Sequence, residues 1–462
     1  MSCNWPTVTV EDIASKLPNA LATGPFGSAI SSKFFTDSGV PVIRGSNLSA
    51  DTGVRLKDEG IVFVSEEKSK EFTRSVARVG DLVFTCWGTI NQVGYIDGTS
   101  SWDEYIISNK QMKLTVDTTK VDPRFLYYVF SSPLKQQEIL SNGIGAAVPG
   151  FNLGQLRKHT LQLPPLIAQS AIADTLELLD KKANQNTQIN QTLEEMAQAI
   201  FKSWFVNFDP VKAKMNGEQP EGMDTATASL FPEKLVDTEV GELPEGWKLV
   251  PVGELLDKTI GGDWGKEEPD DKHTEVVRIV RGTDIPKLHG GAIASVPVRY
   301  VESKKLKTRK LERGDIVIEV SGGSKDQPTG RSLFISDNIL KRLELPSEPA
   351  SFCRRFKPKN YETGLLLTVH FQLMYQAGKT WEYQNQSTGI SNFQTKYFLE
   401  AEHIVIPSDD VLDAFVKQVS PMMDMIHSNQ NIELANLRDT LLPKLLSGEI
   451  DLETTEELVE VN

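Results

Sequence analysis

Residues 42-VIRGSNL-48 and 279-IVRGTDI-285 carry nearly the same phrase, and this echo decides how the chain is organised. Each has two aliphatic residues, then Arg-Gly, then Ser or Thr, then Asn or Asp, then a closing aliphatic. Arg44 and Arg281 lie 237 residues apart. Four more echoes follow in the same order. They are 4-NWPTVTVEDIASKL-17 with 246-GWKLVPVGELLDKT-259, 77-ARVGDLVFT-85 with 311-LERGDIVIE-319, 147-AVPGFN-152 with 389-GISNFQ-394, and 161-LQLPP-165 with 404-IVIPS-408. Five colinear matches at offsets between 234 and 244 mark a duplication. The period is too long for a solenoid, so the repeating unit is a domain plus its connector.

Each half opens with short apolar runs such as 61-IVFV-64, 82-LVF-84, 316-IVIEV-320 and 333-LFI-335, punctuated by Gly, Asn, Asp and Pro. These read as strands. Helices are predicted at Asp12–Leu17, at 123–140 and at 362–378, which makes the domain α+β. A long helix follows over 169–205. Ile172, Leu176, Leu179, Ala183, Asn186, Asn190, Leu193, Ala197, Ile200 and Trp204 alternate steps of four and three, the spacing of a heptad seam. Its counterpart is 411–448. A shift of 244 pairs Asn186 with Gln430, so both helices carry a polar residue at one seam position. Such a residue either fixes register or marks a wet layer. Pro421 is expected to kink or delay the second helix near its start. Residues 206–247, rich in Pro, Gly and acid, read as a mostly extended linker.

Six segments result: domain one over 1–165, a central helix over 166–210, an acidic Pro/Gly-rich linker over 211–245, domain two over 246–407, a distal helix over 408–450, and an acidic tail over 451–462.

The bulk numbers exclude several classes. The 462 residues, 39% apolar and 24% charged, suit a soluble globular protein of two or three domains. No apolar run nears the ~18 residues of a membrane span. The N-terminus lacks the pattern of a secretory signal. The chain is therefore expected in the cytoplasm. Cys3, Cys86 and Cys353 are scattered and the six histidines isolated, so no metal site is expected. A net charge of −14 opposes nucleic-acid binding in bulk. The acid is concentrated, however, in 218–245 and 449–460. By contrast 299-RYVESKKLKTRKLER-313 holds seven Lys/Arg against two Glu, and 341–359 six against two. These clusters are either solvated faces or phosphate contacts.

No catalytic constellation is present. The chain lacks a GxGxxG unit, a GxxxxGK[ST] loop, an amino-methyltransferase Asn/Asp-Pro-Pro-Tyr and a GxSxG elbow. Asp270, Asp271 and Lys272 sit in a polar turn and read as solvated. Two similar domains joined by paired helices suggest a recognition device.

The stretches 200-IFKSWFVNFDPVKAKMNG-217 with 242-ELPEGWKLVPVGEL-255, 164-PPLIAQSAIADTL-176, and the Gly-Asp-hydrophobic elements at Gly80 and Gly314 resemble the DNA-specificity subunits of type I restriction–modification enzymes. The resemblance spans essentially the whole chain. Ala168 departs from it, standing where the family usually places Glu before Gln169. The resemblance implies two target-recognition domains related by a pseudo-two-fold repeat and separated by two long antiparallel coiled-coil helices. Each domain would read one half of a bipartite, asymmetric site in double-stranded DNA. Two methyltransferase subunits and the restriction (translocase–nuclease) subunits would be partners. S-adenosylmethionine, ATP and Mg would belong to those partners, with no cofactor, metal or catalysis in this chain. The alternatives are a non-catalytic two-domain coiled-coil scaffold, or the specificity module of another defence complex. A self-contained restriction–modification enzyme would need the methylase motifs that are missing.

Base readers should be polar, in loops, and different between the halves. Candidates in domain one are Arg44, Asn47, Thr85, Trp87, Asn91, Gln92, Asn109 and Gln111. Those in domain two are Arg281, Thr283, Ser324, Lys325, Gln327 and Arg331. Arg forks to guanine, and Asn or Gln to adenine. Asn47 and Asn91 could equally bond their own backbone, and Trp87 could be core. The repetition of Arg44 and Arg281 argues for phosphate or scaffold work before base reading. Lys304, Lys305, Lys307, Arg309, Arg354 and Arg355 are candidate phosphate contacts. Trp204, Phe205, Phe208, Asp209 and Pro210 are candidates for partner docking, or for closing the core between the helices.

Overall fold

The computed structural model describes residues 5–49, 51–143, 150–239, 241–291, 296–322, 327–387, 390–428, 430–447 and 449–450. The chain divides into two compact units, Met1–Asn184 with Glu433–Asn462, and Gln185–Ile432. The division falls inside the helices and not at the acidic segment, so each unit owns part of both.

The duplication seen in the sequence is a duplication of sheet topology. The first unit has a four-stranded antiparallel sheet in the order Leu21–Thr23, Gln111–Leu114, Leu82–Thr85, Val93–Tyr95. The second has the same order in Leu256–Gly261, Cys353–Pro358, Ile316–Glu319, Ser332–Phe334. A second sheet in each unit carries the Arg-Gly phrase at the end of a strand (Val40–Ile43; His273–Val280). That strand pairs in parallel with Glu104–Ile107 in the first unit and with Ser347–Pro349 in the second. A two-stranded ladder ties the start of each repeat to its end, Thr7–Thr9 to Thr160–Gln162 and Lys248–Pro251 to His403–Ile406.

The Gly-Asp landmarks anchor the central strands. Gly80 and Gly314 take φ of 95° and 91°, which favours glycine. The next residue caps its own turn, with Asp81 accepting the Arg78 N–H at 3.0 Å and Asp315 the Glu312 N–H at 2.6 Å. Both carboxylates are buried and meet a cation from the adjacent strand. Lys113 Nζ lies 3.2 Å from Asp81, and Arg355 Nε 2.7 Å from Asp315.

The predicted helix over 123–140 is two helices, Pro123–Ser131 and Pro133–Ser141. Pro133 cannot continue the first, and Ser132 caps the second by accepting the Lys135 N–H. The helix expected at Asp12–Leu17 lies earlier, over Val10–Ile13, where Thr9 and Asp12 form a capping box. The helix expected over 362–378 runs Tyr361–Gln376.

The long helix Leu166–Lys202 spans 37 residues. Ile172 and Leu176 on its seam pack in the first unit's core with Leu442 and Leu445 of the helix Gln430–Leu446. Asp180 there receives Arg438 at 3.1 Å. Within the second unit the pairing is antiparallel. Asn186 donates to Asn431 (3.0 Å), Asn190 approaches the Ile426 carbonyl (3.5 Å), and Trp204 and Phe205 meet Phe415. Asn186 thus meets a polar residue of the distal helix, Asn431, which adjoins Gln430, the repeat counterpart of Asn186. The distal helix is interrupted, but not by Pro421, which lies inside Asp409–Ile426. The interruption follows that helix, at His427, whose ring is wholly buried against Ser336 and His289.

The segment expected as an extended linker is folded. Helices Asp209–Met215 and Thr225–Ser229 precede a hairpin of Leu235–Thr238 and Gly241–Pro244. Val211, Phe231 and Leu243 are buried in the cluster around Trp204, Phe205 and Trp247. Spaced aromatic and aliphatic side chains supplied enough apolar area to outweigh the entropy of an open chain. The distal tail 451–462 lies outside the described residues.

Candidate nucleic-acid interface

In both units the Arg-Gly phrase ends a strand and enters a single 3-10 turn, Gly45–Asn47 and Gly282–Asp284. The sixth residue of the phrase caps that turn from within. Asn47, 0% exposed, accepts the Arg44 N–H at 3.0 Å and donates to the carbonyls of Lys57 (3.0 Å) and Glu59 (3.4 Å). Asp284, 1% exposed, accepts the Arg281 N–H at 3.0 Å. The one-atom difference between the caps decides the fate of the arginine. Asp284 is charged and also takes Arg281 Nε (2.8 Å) and Nη2 (2.7 Å). Asn47 has no such claim on Arg44. The Arg44 guanidinium turns away to the Gly60 carbonyl (2.7 Å), 5.8 Å from the Phe35 ring.

Arg44 there lines a cavity of about 650 Å³ with Ser46, Thr85, Trp87, Gln92, Asn109, Lys110 and Gln111. Six of the eight polar residues singled out in the first half therefore share one site. Its lining holds two cations and no acid among the described residues. Thr85 and Gln111 sit opposite each other in the sheet register. The Ser108 hydroxyl donates to Gln111 Oε1, while Gln111 Nε2 and Thr85 Oγ1 are buried without a hydrogen-bond partner. A buried polar atom without a partner is costly, which makes this pair the polar floor of the cavity. Asn109 is exposed and donates to the Gly27 carbonyl (3.0 Å). Trp87, 52% exposed, is not core. Its ring lies against Gly150, where a Cβ would come within 2.6 Å. Two candidates lie elsewhere: Asn47 is spent on the turn, and Asn91 lines a separate, smaller pocket with Arg438 and Asp439.

The second unit fills the corresponding place. Glu319 and Cys353 occupy the register positions of Thr85 and Gln111. Glu319, 3% exposed, is forked by Arg331 (2.8 Å to each oxygen), and a Cβ at Gly282 would strike it at 2.3 Å. Burial pushes the Cys353 thiol up to about 12. Arg331 is thus committed to an ion pair. Thr283 and Gln327 are exposed, and Ser324 and Lys325 lie outside the described residues.

Residues 4–195 match the family described as the type I restriction modification DNA specificity domain. The chain is 25% identical over 402 residues to the type I restriction enzyme HindI specificity subunit of Haemophilus influenzae, covering 77% of this chain and 83% of that one. It is 22% identical over 396 residues to the MjaIX specificity subunit of Methanocaldococcus jannaschii, covering 84% and 82%. The chain is similar to type I restriction–modification specificity subunits over most of its length. Among solved structures, it is similar to the S subunit from M. genitalium (15% identity, 96% of both chains, TM-score 0.47). It is also similar to the HsdS subunit from Thermoanaerobacter tengcongensis (16%, 97% and 98%, TM-score 0.36).

The six candidate phosphate residues divide sharply. Lys304 and Lys307 are exposed on the helix Ser303–Arg309, and no ion pair engages them among the described residues. Lys305 and Arg309 both reach Asp263, at 3.1 and 3.3 Å. Arg354 is half-buried with an unpartnered Nε. Arg355 is 3% exposed and held by Asp315, Glu312 and the Thr308 carbonyl, so it belongs to the fold. Its Nε contact with Asp315 is close but poorly aimed, an ion contact more than a directed hydrogen bond. Among the docking candidates Trp204, Phe205 and Pro210 are buried; Asp209 is exposed, beside Phe208 at a left-handed φ of 59°. The sequence reading missed Glu319 and Lys110. The Gly80/Gly314 alignment already placed Glu319 opposite Thr85, and that was the available signal.

Proposed function

We propose that this specificity subunit recognises a bipartite, asymmetric DNA site, one half with each repeat, and that the paired helices set the unread spacer between the halves. The observation that carries this reading is a repeated scaffold with an unrepeated site. The sheets, the Gly-Asp turns and the Arg-Gly turns recur. Thr85 and Gln111 line an open polar cavity in one copy, while Glu319 and Arg331 close the same place in the other. A common scaffold with different reading groups is what two unlike half-sites require. Arg44, Trp87, Gln92 and Asn109 with Thr85 and Gln111 serve the first half-site. Thr283, Gln327 and the segment holding Ser324 and Lys325 serve the second. Lys304 and Lys307 neutralise phosphates. Methyltransferase subunits dock at the exposed side of the turn bearing Phe208 and Asp209, and restriction subunits join that assembly.

Methylome sequencing of a strain with and without this gene tests the reading. One split adenine-methylation motif should vanish on deletion. Insertion of four residues within 181–191 should lengthen the spacer by ~1–2 base pairs, from the helix rise of ~1.5 Å per residue, with both half-sequences unchanged. A motif that survives deletion defeats the proposal.

A further inference from the structure

A second duplicated element lies beside both sites, in 24-GPFG-27 and 262-GDWG-265. Gly24 and Gly262 are pinned against backbone, donating to the carbonyls of Gln111 (2.9 Å) and Cys353 (3.1 Å). A Cβ at either would fall 1.9 Å from the Ser108 oxygen or 2.1 Å from the Ala350 oxygen. Gly27 and Gly265 both take left-handed φ, 61° and 67°. Between them each turn holds out an aromatic ring, with Phe26 86% and Trp264 40% exposed.

An exposed aromatic repeated at the same point of two copies has a shared task, and two unlike half-sites cannot both be read by it. The surroundings indicate the partner. In the first unit the turn is tied to Asn109, and Ile30 just beyond it lines the cavity that holds Arg44 and Lys110 and no acid. In the second, Arg299 stacks 5.1 Å from the Trp264 ring, and Asp263 of the turn binds Lys305 and Arg309. Cations flank both rings, Arg44 and Lys110 in the open cavity beside the first, and Arg299 (also paired with Glu267 at 3.0 Å), Lys305 and Arg309 in ion pairs beside the second.

We propose that Phe26 and Trp264 are matched, sequence-neutral DNA contacts, each pressing as an apolar wedge on a base step beside its half-site. This rests on the DNA reading above and adds residues that reading did not use. The test uses the assembled specificity–methyltransferase complex and fluorescence anisotropy on a duplex carrying the methylome-derived motif and on a scrambled duplex. Phe26→Ala and Trp264→Ala should each weaken binding to both duplexes by roughly 5- to 150-fold, the range for an aromatic–base stack. Phe26→Trp and Trp264→Phe should restore it. The methylated motif and the assembly by size-exclusion chromatography should be unchanged. Affinities within twofold of the parent overturn the proposal. So does a loss confined to the motif duplex, which would make the rings base readers, or a loss that accompanies shedding of methyltransferase subunits, which would make them a docking contact. A complex that still methylates one split motif while failing this test leaves the functional reading standing and removes only the wedges.

Discussion

Arg355→Met separates a charge that holds the fold from one that would hold DNA. Arg355 lies in a basic run, yet its side chain is enclosed by Asp315 (2.7 Å), Glu312 (2.8 Å) and the Thr308 carbonyl (2.9 Å). Methionine keeps most of the apolar stem and removes the charge. Asp315, 2% exposed, would be left buried beside Glu312. Breaking one side of a buried pair costs about 3–5 kcal/mol. At about 2–4 °C per kcal/mol for a unit of this size, the melting temperature should fall by roughly 6–20 °C. The deficit should depend on pH. Burial raises the Asp315 carboxyl above its ordinary value of 3.8 even with Arg355 opposing it. Without the guanidinium it rises further. An acid whose folded pKa exceeds its unfolded one destabilises increasingly as pH climbs from the unfolded value towards the folded one. The variant should therefore lie closer to the parent at pH 5 than at pH 8. Thermal melts at both pH values, followed by circular dichroism, measure this. Salt titration of DNA binding by the assembled complex completes the test, and its slope should match the parent's. A melting temperature within about 2 °C of the parent, with a log–log salt slope shallower by ~0.9, would show that Arg355 contacts phosphate and refute the argument.

Lys304→Ala with Lys307→Ala should do the opposite, leaving melting unchanged and lowering the salt slope by up to ~1.8, two phosphate contacts. Gln111→Met removes a buried unpartnered amide, worth ~1–3 kcal/mol, and its bond to Ser108, worth ~1. The first unit should melt at the same temperature or a few degrees higher, and methylome sequencing should show relaxed preference in one half-site only. Asn186→Leu with Asn431→Leu should raise stability at the cost of register, read as a higher melting temperature with a blurred spacer length. His427 is held well below 6.5, first by burial and then by His289 and Arg342. The unfolded chain then binds the extra proton as pH drops below 6.5, so the second unit should lose stability there. His427→Leu should flatten that limb in melts between pH 5 and 8.

The legible parts of the molecule were those that depend on spacing along the chain. The duplication, the seam through Ile172, Leu176 and Trp204, and the turn glycines Gly80 and Gly314 follow from residue type and interval. Six of the candidates converge on one cavity, although Arg44 recurs in the other half as Arg281, and Thr85 and Gln111 lie in strands and not in loops. The misread linker has one cause. Residues 211–245 were judged by Pro, Gly and acid content, while Val211, Phe231 and Leu243 found buried partners far away in sequence. Pro421 neither delays nor ends its helix, which runs Asp409–Ile426.

The opening phrases draw the same boundary. The sequence by itself established two copies of one domain's landmark, because the phrase recurs in register with four other matches. It could not say that Asn47 and Asp284 are buried caps, that Asp284 pins Arg281, or that Asn47 leaves Arg44 to a cavity. Nor could it say that Glu319 closes in one unit what Thr85 leaves open in the other. Those outcomes depend on which charged or polar atom meets an arginine or a sheet position in three dimensions, and a side chain already paired is not available to DNA.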